Sequence, residues 1–178
     1  MIYQLLKGLS LYPNMGMQEP GIYNFYLEID QDTVFINNSA NPANYQAYCL
    51  PWRQDTGMSI ELPRLNPNAV FFFTPILTGC CIGVQNTGAN SIKIIHANDF
   101  SGHMPQEILD SYGGGVTWLI TQHLADEWRE KYHYTPMMSV YPDAVNKGTV
   151  FWGEFDIESD QWKFYYQDDN NVIHTFNY

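Results

Sequence analysis

Cations are scarce in this chain: eight Lys and Arg stand against 19 Asp and Glu, giving a net charge of −11. A phosphate backbone needs clustered Lys and Arg, so no direct nucleic-acid partner is expected. An acidic surface instead favours approach to a basic patch on another protein. Cysteine is scarce as well. Cys49, Cys80 and Cys81 are an odd number of thiols with two of them adjacent, which argues against a disulfide framework and for a reducing environment. They show no Cys-x-x-Cys spacing, and no His pair at ligand spacing lies near them, so no metal site is expected. No run of eighteen apolar residues occurs, so no membrane-spanning helix is expected. The opening stretch, Met1 to Gly8, lacks the basic start and long apolar core of a secretory signal.

What the chain has in quantity is aromatic and apolar surface. Of its 178 residues 45% are hydrophobic and 16% aromatic, the composition of a folded globule rich in β structure. The length suits one domain spanning residues 1–178, large enough to bury a core. Its most apolar stretch is Val70-Phe71-Phe72-Phe73, followed by Thr74-Pro75-Ile76-Leu77-Thr78-Gly79-Cys80-Cys81. Three successive Phe leave no wet face, so this reads as a strand covered on both sides. Pro75 cannot donate to a ladder and weakens pairing there. The answering strand is Ile92-Lys93-Ile94-Ile95-His96.

Taken in order, residues 1–11 predict a short helix and 12–20 a loop punctuated by Pro13, Gly16 and Pro20. Ile22–Ile29 alternates cleanly and turns at Asp30-Gln31-Asp32 into Val34–Ile36, a hairpin. Short strands are predicted at 45–52, 58–62, 69–77, 81–86 and 91–97. Residues 98–115 read as irregular, ending in a Gly113–Gly115 connector, since no Lys-Ser/Thr follows to make a phosphate loop. Val116, Ile120, Leu124 and Trp128 recur every fourth residue, predicting a helix over 116–132 with its stripe packed on a sheet. Strands at 137–141, 149–157, 161–166 and 172–176 complete the pattern. About nine strands with one long helix and two weak ones define an α/β fold, a sandwich of mixed β-sheets flanked by a few helices.

A thiol at the lip of a buried strand, with a histidine ending the next strand, is a candidate nucleophile and base: Cys80 and His96. A cysteine there equally serves as a small buried hydrophobe. Turn geometry leaves the thiol open. A hairpin centred on Gly88 sets Cys80 opposite His96, whereas a two-residue Gly88-Ala89 turn sets Cys81 there. His123 and His133 read as surface residues of the helix, and nothing marks His103 or His174 as catalytic. Glu154 and Asp156 alternate on a strand as a glycosidase pair would, but also as carboxylates on a solvated sheet face do.

Leu77-Thr78-Gly79-Cys80 resembles the Leu-Ser-Gly-Cys signature of the cysteine glutamine deamidases among bacterial toxins, which include the cytotoxic necrotizing factors. The Burkholderia lethal factor-like deamidases are the nearer match. They share a Leu-Pro-Trp segment followed by a basic residue and Gln, similar to Leu50-Pro51-Trp52-Arg53-Gln54. They also share Phe-Phe-Thr six residues before the cysteine, as in Phe72-Phe73-Thr74, and a His before Ala, as in His96-Ala97. The match covers residues 48–98. Thr78 departs from the pattern but keeps a hydroxyl, Pro75 and Cys81 are additions, and the gap from Cys to His is longer.

The resemblance implies a catalytic set of Cys80, His96 and Thr74, with Thr74 holding the imidazole in one tautomer and backbone N–H groups near Gly79-Cys80 receiving the oxyanion. It implies the α/β sandwich again, a single deamidase-like catalytic domain and no cofactor. The implied reaction converts a glutamine of a host protein to glutamate. A translation-initiation RNA helicase is the implied partner, and Rho-family GTPases are the other precedent. A glycan-binding β module, suggested by the aromatic residues, low pI and many Asn, is the competing expectation. A monomer is expected, made in a bacterial cytoplasm and acting in a host cytoplasm, with no membrane partner.

Overall fold

The computed structural model describes residues 2–6, 8–16, 18–41, 43–98, 105–133, 139–141, 149–168 and 170–178, with backbone alone at 121–123 and 139–141. Helix α1 (Ile2–Leu5) precedes strands β1 (Ser10–Asn14), β2 (Gly21–Asp30), β3 (Thr33–Asn38), β4 (Tyr45–Cys49) and β5 (Thr56–Pro63). Next come β6 (Phe71–Phe73), β7 (Cys81–Asn86) and β8 (Ser91–Asn98). Helix α2 (Pro105–Ser111), β9 (Val116–Thr121) and α3 (Gln122–Tyr132) lead to β10 (Ser139–Tyr141), β11 (Val150–Asp156), β12 (Gln161–Gln167) and β13 (Ile173–Phe176).

These strands form two mixed sheets. The large one has eight strands in the order β1-β3-β2-β4-β6-β11-β12-β13, and the small one five, β10-β9-β7-β8-β5. Parallel pairs β1/β3, β4/β6 and β9/β10 sit among antiparallel neighbours. Alternation along each strand sends side chains to opposite faces and so builds three apolar layers. Between the sheets lie Phe72, Phe151, Phe164 and Phe176 from the large sheet and Ile82, Val84, Ile92 and Ile94 from the small one. The far face of the large sheet, with Phe25, Phe73 and Trp152, is covered by Ile2 and Leu6 of the α1 segment. The far face of the small sheet carries Cys81, Ile95 and Trp118 beneath Leu109 of α2 and Leu124, Ala125 and Trp128 of α3. Each fully buried Phe in these layers stabilises the fold by about 1.5–3 kcal/mol. The predicted sandwich of mixed sheets with flanking helices is the observed architecture.

Three segments depart from the predicted elements. The helix predicted over 116–132 divides into β9 and α3. A spacing of four is also twice the strand period, so Val116 and Ile120 satisfy a strand equally well, and Val-Thr-Trp-Leu-Ile-Thr is a β-prone run. Among the described residues of 1–11 the helix is the single turn Ile2–Leu5, and Ser10 begins β1, which pairs parallel with β3 at the sheet edge. Pro13 misled there: an edge strand tolerates proline because one side of its backbone needs no ladder partner. The stretch read as irregular contains α2, started by Pro105, whose missing N–H costs nothing at a helix start. Among the described residues thirteen strands form where about nine were expected.

Candidate active site

The layer between the sheets turns polar at one end. Strands β4 and β6 run parallel there, and past their ends Leu50 donates its N–H to the carbonyl of Phe73 at 3.0 Å. Phe72 faces the inter-sheet core and Phe73 the far face, so alternation brings Thr74 back between the sheets. From the small sheet, β8 presents His96 to the same space, flanked across the ladder by Ile82 of β7 and Met58 of β5. Pro75 ends regular pairing, Leu77 and Thr149 exchange both backbone bonds, and Gly79 turns the chain at a φ of 78°. That left-handed conformation favours glycine and delivers Cys80 just before β7 begins.

The structure brings the three sequence-derived residues together. His96 Nε2 stands 3.1 Å from Cys80 Sγ, and His96 Nδ1 stands 2.8 Å from Thr74 Oγ1. Thr74 Oγ1 also lies 2.9 Å from the carbonyl oxygen of Leu50. These contacts fix the protons. A carbonyl only accepts, so the single hydroxyl hydrogen of Thr74 goes to Leu50. At Nδ1 the same oxygen must then accept, which places the imidazole proton on Nδ1 and leaves the lone pair of Nε2 facing the thiol. Sequence reading did not find the Leu50 carbonyl, because any residue type can supply one.

Burial sets the charge of the group. Thr74 and His96 are wholly buried, and Cys80 is 5% exposed. Loss of solvent around His96 pushes its pKa down to about 3, so near neutrality the resting imidazole is uncharged. Cys80 is the one member of the three that solvent reaches.

Register also separates the two thiols. Neither expected turn forms: Ile82 lies opposite His96 and Asn86 opposite Ile92, which centres the hairpin on Ala89. Gly88 takes a φ of 138°, and the Thr87 hydroxyl donates to the Ser91 carbonyl at 3.1 Å across the loop. Cys80 still shares the face of Ile82 and His96, one alternation further on, while Cys81 opposes Ala97 and joins the layer under the helices. Cys49 lies on the far face of the large sheet, where burial pushes its thiol pKa up and keeps it protonated.

The other candidates are placed elsewhere. Glu154 is not on a solvated face: it is 2% exposed, and its Oε1 accepts the Tyr3 N–H at 2.6 Å and the Trp152 indole N–H at 3.2 Å. Asp156 pairs with Lys163, whose ammonium holds the carboxyl at about 2. His174 gains a partner unmarked in the sequence, Asp168 at 2.8 Å, in the turn joining β12 to β13. His133 is exposed just beyond α3; the His123 side chain and all of His103 lie outside the described residues. Among the described residues no three His, Cys, Asp or Glu side chains gather as metal ligands. Two clefts of about 300 and 290 Å³ flank α1, one beside Tyr3 and Asn171, the other beside Phe25 and Tyr45; neither reaches Cys80.

No protein-family model matches the chain. No curated protein matches it either. Among solved structures, the chain is similar to the C-terminal domain of CNFy from Yersinia pseudotuberculosis, with a TM-score of 0.46 and 11% identity over 89% of this chain and 70% of that one.

Proposed function

We propose that this protein is a cysteine-dependent glutamine deamidase of the bacterial toxin type, acting on a host protein. The observation that carries it is the relay from Leu50 through Thr74 and His96 to Cys80, whose proton positions suit amide hydrolysis. Nε2 takes the thiol proton as sulfur attacks the side-chain amide carbon. The imidazolium then gives that proton to the departing nitrogen, the C–N bond breaks and ammonia leaves a thioester. Neutral again, His96 takes a proton from water, whose oxygen attacks the thioester; the C–S bond breaks, and glutamate and the thiol are formed. Thr74 stabilises the transient imidazolium through its bond to Nδ1–H, the part an Asp or Asn plays in other triads. Backbone N–H groups at the Gly79 turn are the proposed oxyanion donors.

The Leu50–Gln54, Phe72–Thr74 and Leu77–Cys80 resemblances to lethal factor-like deamidases extend the proposal to its target, an initiation RNA helicase. The protein is accordingly expected to lower translation in a eukaryotic lysate. Mass spectrometry of that lysate should find Gln→Glu conversions that the Cys80→Ser protein does not produce. Conversion confined to a GTPase with translation undisturbed would reassign the target. Absence of any conversion by folded protein would remove the deamidase proposal.

A further inference from the structure

Only part of the large sheet is sandwiched. Tyr48 of β4 is buried between the sheets, but the same face continues past it onto β2, β3 and β1, where Ile22, Tyr26 and Tyr12 are 40–43% exposed. Strand register arranges this open face in rows. Tyr12 lies beside Phe35, which lies beside Glu28; Asn14 lies beside Asn37, which lies beside Tyr26; and Asn24 lies beside Gln46. Residues directly opposed in neighbouring strands share a face, so these side chains stand together on one surface.

The chemistry of the surface is specific. The Tyr12 and Phe35 rings form a tilted pair with centroids 5.6 Å apart. Beside them runs a chain of polar groups: Asn14 Nδ2 donates to Asn37 Oδ1 at 2.9 Å, and Asn37 Nδ2 donates to Glu28 Oε2 at 3.1 Å. One strand over, Gln46 Nε2 donates to Asn24 Oδ1 at 3.1 Å. Each carboxamide has two donors and an oxygen with two lone pairs. One or two bonds apiece hold these groups in place and leave both donors and acceptors toward solvent. Strands β1 to β4 contain no Lys or Arg, so none of these rows offers a cation to a phosphate or sulfate.

We propose that the open face of β1, β3 and β2 is a binding site for a neutral oligosaccharide. A sugar ring presents a C–H face that packs on exposed aromatic rings, and hydroxyls that each donate and accept, the combination that fixed amides satisfy. Charge selects a neutral glycan over an anionic one. A protein partner fits less well, because protein interfaces centre on an apolar patch, whereas here carboxamides and a carboxylate are interleaved with the rings. Adjacent strands stand about 4.8 Å apart, so the four strands from Tyr12 to Gln46 span about 14 Å, room for a short oligosaccharide rather than one ring. The site is independent of the thiol chemistry.

The test is an NMR titration of the ¹⁵N-labelled full chain with lactose, maltotriose, cellotriose and triacetylchitotriose. At least one sugar is expected to shift amides of β1, β2 and β3 selectively. The Tyr12→Ala/Tyr26→Ala double variant, altered only at exposed rings, should weaken that binding about tenfold or more, and Asn37→Ala should weaken it while the fold survives. Deamidation, measured in parallel, should be the same in both variants as in the parent. No selective shift with any of the four sugars would overturn the proposal, as would shifts mapping elsewhere. A dimer in light scattering that the double variant dissolves would assign the face to a second copy and overturn it too.

Discussion

The β7–β8 hairpin has two faces, and adjacent cysteines sample both. On the inner face Cys80 meets His96, with Thr74 and the Leu50 carbonyl behind it. On the outer face Cys81 packs with Ile95, Ala97, Trp118 and the α3 residues Leu124 and Trp128. Both faces are dry, so burial alone does not distinguish a reactive thiol from a packed one. What marks Cys80 is the imidazole beside its sulfur, its lone pair fixed by Thr74. Adjacent strand positions are the shortest route to that difference, because one step along a strand turns a side chain from one layer into the other.

Removing each thiol in turn tests the contrast most severely, and the largest effect is expected here. Cys80→Ser should lower deamidation by about 10³-fold or more, since no comparable nucleophile replaces the sulfur. Cys81→Ser should keep the turnover of folded molecules, because position 81 lies on the opposite face from His96. Substoichiometric iodoacetamide near pH 6.5 should label Cys80 ahead of Cys81 and Cys49, matching their exposures of 5%, 0% and 0%. Label appearing first on Cys81, with Cys80→Ser still active, would move the nucleophile to the other face.

A smaller effect is expected one bond further from the sulfur. Thr74→Val keeps the shape of the side chain but leaves the Leu50 carbonyl without its donor and Nδ1–H without its acceptor. The imidazole is then free to carry its proton on Nε2, pointing at a thiol it can no longer deprotonate. Activity should fall about 10- to 10³-fold, while Thr74→Ser, which keeps the hydroxyl, should recover most of it. A folded Thr74→Val protein with full activity would reduce Thr74 to a packing residue.

How much of this was legible beforehand differs between the layers. The Phe71–Phe73 strand follows from an apolar run with no wet face, and the β2–β3 hairpin from alternation. Which thiol shares a face with His96 stayed open, because that turns on the parity of the β7–β8 register. The register of β7 on β8 did not follow, because it depends on how Thr87 and Ser91 close a loop. Nor did the outer layer: Val116–Thr121 carries a spacing that strand and helix both satisfy, so the β9–α3 boundary has no periodic signal. The burial of Glu154 was hidden for another reason. What covers it is the Tyr3 end of the chain, 151 positions away, and no local pattern records such a contact.

The smallest effect, and the one that separates the buried imidazole from every solvated carboxylate, is on the pH dependence of stability. His96 is neutral in the fold because burial holds its pKa at about 3, against 6.5 for an exposed imidazole. Between those values the unfolded chain binds a proton that the folded chain refuses. Acid therefore pulls the equilibrium toward unfolding, and stability rises with pH across this window. Above about pH 6.5 both states are neutral and the contribution is flat. His96→Gln removes the titration while keeping an amide of similar size at the same position. Unfolding free energies of parent and variant, measured by denaturant from pH 7 down to pH 4, should differ by an amount that changes by up to about 1.4 kcal/mol per pH unit. The Asp and Glu residues common to both chains cancel in that difference. Parallel curves through the window would mean that His96 takes up its proton inside the fold.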